Sequence, residues 1–138
     1  MHVSEIMTPN PEHLSTGASM WDAAGLMKSK DIGCVPVADN GHVVGIVTDR
    51  DIVVRGLANN IEPNSPLLDI MTPDVLTVSP TDDVDETFRL MEKEQIRRLP
   101  VVDGSGALVG MVSLGDLATR IDERSKVGET LESISEPG

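Results

Sequence analysis

Apolar positions along the chain come in short bursts of two spacings, and the bursts recur in a fixed order. Val75-Leu76-Thr77-Val78 reads as a short strand, and Thr81 to Gln95 as a helix with Val84, Phe88 and Met91 on one face at the i, i+4, i+7 spacing. Asp82, Asp83, Asp85 and Glu86 fall in the first turn of that helix, where the helix dipole favours negative charge. Leu99-Pro100-Val101-Val102 then predicts a buried strand, Gly104-Ser105-Gly106 a hairpin turn, and Leu108 to Val112 the returning strand; Leu114 to Ile121 begins a second helix. The preceding half predicts the same elements: a helix from Ser19 to Lys30 with Met20, Ala24 and Met27 inward, a hairpin of Cys34 to Ala38 and Val43 to Val47, and a helix from Ile52 to Ala58. The predicted order is β-α-β-β-α, twice, an α+β fold.

The residues repeat as well as the pattern. Met7-Thr8-Pro9 recurs as Met71-Thr72-Pro73, and Val35-Pro36-Val37 as Leu99-Pro100-Val101, both at a shift of 64. After one extra residue in the second hairpin turn the shift is 65, matching Gly45-Ile46-Val47-Thr48 to Gly110-Met111-Val112-Ser113 and Asp51 to Asp116. From Met7 to Ile52, 15 of 46 positions are identical in the second copy, which makes this an internal duplication. Two copies cannot form a repeat array, so they are expected to pack about a pseudo-two-fold axis. The expected layout is a first repeat over residues 3–58, a turn-rich linker over 59–67, a second repeat over 68–121, and a polar tail over 122–138. In that tail Val127, Leu131 and Ile134 fit one weak amphipathic helix. Two such small halves are expected to share a core.

Charge narrows the partners. With 11 basic and 23 acidic residues in 138, the formal net charge is -12, which repels nucleic-acid phosphates and anionic membranes. The chain has no Tyr, one Trp (Trp21) and one Phe (Phe88), too few rings for base stacking. A single cysteine, Cys34, no apolar run of membrane length and no basic-then-apolar leader fit a soluble protein of the reducing cytoplasm.

The chemistry sits where strands meet helices. In Thr48-Asp49-Arg50-Asp51 and Ser113-Leu114-Gly115-Asp116, a hydroxyl follows a strand and an aspartate stands three residues on. That spacing suits a capping box, in which the two side chains satisfy free N–H groups of a first helical turn. It equally suits a nucleotide, with the aspartate accepting from a ribose diol, the hydroxyl on sugar or phosphate, and the helix start favouring an anion. Ahead of the second hairpin, Ile96-Arg97-Arg98-Leu99-Pro100 adds two planar guanidinium forks suited to phosphate. The first half has Gly33 and Cys34 at the matching positions, so an anion there falls to the helix dipole or to Arg50 and Arg55, and phosphate-bearing ligands are expected to prefer a site made of Arg97, Arg98, Ser113 and Asp116.

The duplicated Met-Thr-Pro, x-Pro-Val, turn and Gly-h-h-Thr/Ser-x-x-Asp pattern resembles a tandem pair of CBS domains, the Bateman module, over about residues 3 to 121. It is similar to small stand-alone bacterial CBS pairs, including stress-response and dormancy-associated ones. The resemblance implies a regulatory role with AMP, ADP, ATP or a related adenosyl ligand between the repeats. It puts the family's ribose-binding acid on Asp51 and Asp116, its hydroxyl on Thr48 and Ser113, and its phosphate contacts on Arg97 and Arg98. It also implies a disc-like homodimer, for which Met20, Ala23, Met27 and Phe88 are candidate uncovered apolar positions.

Competing functions find less in the sequence. His2, His13 and His42 lie far apart, and no catalytic triad or phosphate-loop motif is present, so no catalytic residue is assigned. Cys34 and the histidines lack the close pairing of zinc ligands, so no metal site is assigned either. Met20, Met27, Met71, Met91 and Met111 are read as core filler. The surviving alternative is a dimeric protein-interaction module that needs no ligand.

Overall fold

The computed structural model describes residues 1–135, with side chains through Arg124. Its strands are β1 (Thr8–Pro9), β2 (Leu14–Ser15), β3 (Cys34–Asp39), β4 (His42–Thr48), β5 (Thr72–Pro73), β6 (Arg98–Val102) and β7 (Leu108–Ser113). The α-helices are α1 (Met20–Lys30), α2 (Val84–Glu94) and α3 (Leu114–Ser135). Both hairpins form as their turn chemistry predicts. Asn40 and Gly41 take positive φ between β3 and β4, which suits a two-residue hairpin loop. The second loop is held by Asp103, whose Oδ1 accepts from Ser105 N–H (2.9 Å), Ser105 Oγ–H (2.7 Å) and Ala107 N–H (3.1 Å). These bonds, the Ser105 hydroxyl first, hold the Asp103 carboxyl below its ordinary pKa.

Caps set the helix limits. Ser19 Oγ accepts from Asp22 N–H and Asp22 Oδ2 from Ser19 N–H, both at 3.0 Å, so α1 starts at Met20. The expected start of α2 at Thr81 moves to Val84, because Asp83 is extended and its side chain accepts from Glu86 N–H at 3.2 Å. Ala23, rather than the expected Ala24, is buried on α1. Of the expected strand at 75–78 only Val78 pairs, in a parallel bridge to Val101.

The helix expected over Ile52 to Ala58 is instead a π-helical turn over Asp51–Gly56, followed by a 3-10 turn, Leu57–Asn59. Leu57 N–H reaches back to the Ile52 carbonyl, one residue further than in an α-helix. The β-branched run Ile52-Val53-Val54 favours α-helix weakly, and Gly56 packs on Met20 so closely that a Cβ would stand 2.3 Å from its Sδ. At the other end of the chain, α3 runs unbroken to Ser135, so no separate tail helix begins after Ile121. The side chains of Val127, Leu131 and Ile134 lie outside the described residues.

The two sheets exchange strands. One has the order β2-β3-β4-β5 and the other β1-β7-β6. The Met-Thr-Pro segment opening each repeat therefore adds to the sheet of the other: Thr8 and Pro9 pair with Met111 and Gly110, and Thr72 and Pro73 with Ile46 and Gly45. The cores follow the same exchange. One gathers Met20, Ala23, Met27, Val35, Val37 and Val47 with Leu67, Ile70 and Met71. The second holds Val84, Met91, Leu99, Val101, Val112 and Leu117 with Val3, while Ile6 and Met7 pack against it. The halves thus have two cores, not the single shared one expected, and each core is completed by the other half's leading segment. Leu67, placed by composition in the linker, is fully buried.

Candidate functional site

The strand exchange sets the threonine of each Met-Thr-Pro against the strand that leads into the other half's Thr/Ser-x-x-Asp motif, Thr72 opposite Ile46 and Thr8 opposite Met111. In the first half the assembly is closed. Thr48 N–H donates to Asp51 Oδ2 and Asp51 N–H to Thr48 Oγ1, both at 3.0 Å, the reciprocal exchange of a capping box. Thr72 Oγ1–H reaches both Asp51 oxygens, at 3.2 and 3.3 Å. Arg55 Nε lies 3.6 Å from Asp51 Oδ1, and its Nη1 donates to the Met71 carbonyl at 3.2 Å. Asp51 is 7% exposed, a buried carboxylate with its partners in place.

The second half repeats the residues without the closure. Asp116 N–H donates to Ser113 Oγ at 3.1 Å, but among the described residues nothing is hydrogen-bonded to the exposed Asp116 carboxylate. Arg120, the counterpart of Arg55, turns to Glu123 at 3.5 Å. Asp116 and Arg120 instead share the wall of a cavity of about 330 Å³ with Glu5 and Met7.

The arginines border both repeats. Arg98 pairs with Ser113 in the β6–β7 register, but the cavity that both arginines line opens onto the first repeat. It measures about 550 Å³ and joins Arg97 and Arg98 to Thr48, Asp49, Arg50, Cys34 and Ile46. Asp116 lines a different cavity. The start of β6 and the end of β4 border one cavity, so Arg97 and Arg98 line the same space as Gly33 and Cys34. Burial, the largest influence, pushes the Cys34 thiol up from 9.0 to about 11, with Arg98 pulling the other way. Asp51 and Asp49 raise it further.

Two smaller cavities flank this centre and are counterparts in the duplication. One, of about 320 Å³, is lined by Ile46, Thr72, Val75, Ile96 and Arg98. The second, of about 160 Å³, is lined by Thr8, Pro11, Ile32, Cys34, Arg98 and Met111. Each offers a threonine, two apolar walls from strand and loop, and one polar end, suited to a flat heterocycle with a polar substituent. Sequence reasoning missed Thr72 as a site residue. Its signal was present, since it recurs at the duplication shift as Thr8.

Apolar exposure also falls elsewhere than expected. Met20, Ala23 and Met27 are buried and Phe88 is half-buried against the second core. Trp21 (69% exposed), Val53, Val54 and Leu57 are the exposed apolar residues of α1 and the turns after β4. All five methionines read as core filler are buried. Among the described residues no group of three or more His, Cys, Asp or Glu is placed to hold a metal, and no helix is long and apolar enough to cross a membrane.

Comparison with known proteins agrees with this architecture. The CBS-domain family model matches residues 3–57 and 67–123. CBS domain-containing protein YhcV of Bacillus subtilis is 35% identical over 133 residues, covering 96% of this chain and 94% of that protein. The crystal structure of CBSX2, from Arabidopsis thaliana, in complex with AMP superposes with a TM-score of 0.78 at 28% identity, covering 90% of this chain and 98% of that one. The CBS domain pair of MJ0100, solved with 5'-methylthioadenosine and S-adenosylmethionine, gives 0.77 at 29% identity over 90% of this chain and 98% of that one. A duplicated α+β unit whose halves trade their opening strands, matched along nearly its whole length, places this chain in the CBS-domain family as a tandem CBS pair.

Proposed function

We propose that this CBS pair is a regulatory module, not an enzyme, that senses an adenosine nucleotide bound between its repeats. The observation that carries the reading is the central cavity of about 550 Å³, where Arg97 and Arg98 of one repeat meet Thr48 of the other. In a chain of net charge -12, those guanidinium groups have no ion-pair partner among the described residues. They are suited to phosphate. The flanking cavities suit the adenine and ribose, with the Thr48–Asp51–Thr72 cluster beside one and Thr8 beside the other. Ligands of CBSX2 and MJ0100 share the adenosyl group, which supports it here. AMP, ADP and ATP fit the guanidinium groups better than S-adenosylmethionine, whose sulfonium carries positive charge. The module acts in the cytoplasm.

Thermal melts with a panel of adenine and guanine nucleotides test this. A ligand at 100 times its Kd adds about 2.7 kcal/mol of stability, so a rise in Tm is expected with phosphorylated adenosines. No shift with any nucleotide favours the ligand-free interaction module instead. That second reading draws on exposed Trp21, Val53, Val54 and Leu57, which we propose as part of a homodimer contact.

A further inference from the structure

We infer that the two flanking clefts share a single guanidinium, Arg98, and so bind phosphate-bearing ligands in competition with each other. The inference deepens the nucleotide-sensing reading and rests on it.

The duplication makes the clefts comparable position by position. Thr8 corresponds to Thr72, Pro11 to Val75, Ile32 to Ile96 and Met111 to Ile46, and each residue lines its own cleft. One correspondence breaks this rule. Cys34 is the counterpart of Arg98, yet Arg98 lines both clefts and the central cavity between them. The short Cys34 side chain leaves room on its own side of the pseudo-axis, and the long Arg98 side chain borders that space as well as its own. Cys34 cannot supply the missing charge, because a thiol carries no positive charge in either protonation state.

No other cation lining the two clefts removes the competition; Arg97 and Arg50 line the central cavity but neither cleft. The smaller cleft also has Lys30, but Glu12 holds it at 3.5 Å in the same wall. In the larger cleft the charged residues besides Arg98 are Asp74 and Glu94, both acidic. Arg98 is thus the one cation lining either cleft that has no ion pair among the described residues. A phosphate in the first cleft to fill takes that guanidinium, and a phosphate arriving in the second meets a neutralised group and a second anion nearby. Adenosine, with no phosphate, has nothing to compete for. Such competition would let the module respond to which phosphorylated ligand arrives first rather than sum two independent signals.

The test closes one cleft at a time. Pro11→Trp fills the smaller cleft and Val75→Trp the larger, at equivalent, half-buried positions; Glu12→Trp and Leu76→Trp, at exposed rim positions, replace them if either fails to fold. AMP and adenosine are titrated calorimetrically into each variant with and without Arg98→Ala. Removing a hydrogen bond to a charged group costs affinity about 10-fold or more, and the exposure of Arg98 favours the low end. The expected result is an AMP loss of about 10-fold on Arg98→Ala in both backgrounds, with adenosine unchanged. Loss in only one background assigns Arg98 to a single cleft and overturns the sharing while leaving the nucleotide reading intact. Absence of binding by either compound to the wild-type chain overturns both.

Discussion

Asp51 and Asp116 are equivalent in the duplication, yet their surroundings require opposite responses to the same substitution. Asp51→Ala removes a buried carboxylate that accepts from Thr48 N–H and Thr72 Oγ1–H. Each such charge-assisted bond contributes about 1.5 to 3 kcal/mol, and the low end applies because Thr48 and Thr72 are only half-buried. Two bonds at about 1.5 kcal/mol give a loss of about 3 kcal/mol, to which half-exposed Arg55 adds little. Asp116→Ala removes an exposed carboxylate but keeps the backbone N–H that Ser113 Oγ caps, so its effect stays within about 0.5 kcal/mol. In urea, with a slope of about 2 kcal/mol/M, Asp51→Ala unfolds about 1.5 M earlier than wild type, and Asp116→Ala unfolds with it. Asp51→Asn, which keeps one acceptor oxygen, falls between. Equal midpoints for the two alanine variants would refute the contrast between a closed and an open motif.

The strand exchange gives a second contrast between equivalent positions. A Cβ at Gly45 would stand 2.5 Å from the Thr72 carbonyl oxygen, whereas at Gly110 it would meet the flexible Met7 side chain, 2.4 Å from Sδ. Gly45→Ala is therefore expected to cost about 2 to 3 kcal/mol and Gly110→Ala about 1 kcal/mol or less, read by the same urea titration; the reverse order contradicts the exchanged pairing. Cys34, with its thiol pushed to about 11 from 9.0, is expected to react with iodoacetamide about 100-fold more slowly at pH 8 than an unperturbed thiol. Because the folded state holds that proton more tightly, the associated stability is present below pH 9 and is lost as pH rises toward 11. Labelling as fast as in the urea-unfolded chain places the thiol in water.

How much of this was legible depends on whether the determining contact was local. Both hairpins and the start of α1 follow from nearby residues, namely Asn40-Gly41, Asp103 and the cap Ser19, whereas α2 was read from Thr81 although the local cap Asp83 starts it at Val84. The β1–β7 and β4–β5 pairings join residues far apart in the chain. Two-residue strands such as Thr8–Pro9 and Thr72–Pro73 carry no periodicity that announces a partner. Arg97 and Arg98 were grouped with the motif nearest in sequence, and that the first repeat's Thr48 borders the same cavity was hidden for the same reason. The π-helical turn was hidden because Ile52 to Ala58 has the length and polarity of an ordinary helix, and the contact of Gly56 with Met20 joins residues far apart in the chain. The hydroxyl and aspartate pairs were visible from their spacing; that one aspartate is enclosed and the other exposed was not.

The central claim is that phosphates bind where the second repeat's arginines meet the first repeat's hydroxyl. Calorimetric titration of ATP, AMP and adenosine into the wild-type chain and the Arg97→Ala, Arg98→Ala double variant tests it most directly. ATP and AMP are expected to bind the variant at least about 10-fold more weakly, with adenosine affinity the same in both proteins. Unchanged affinity of the double variant for both ATP and AMP would contradict the claim.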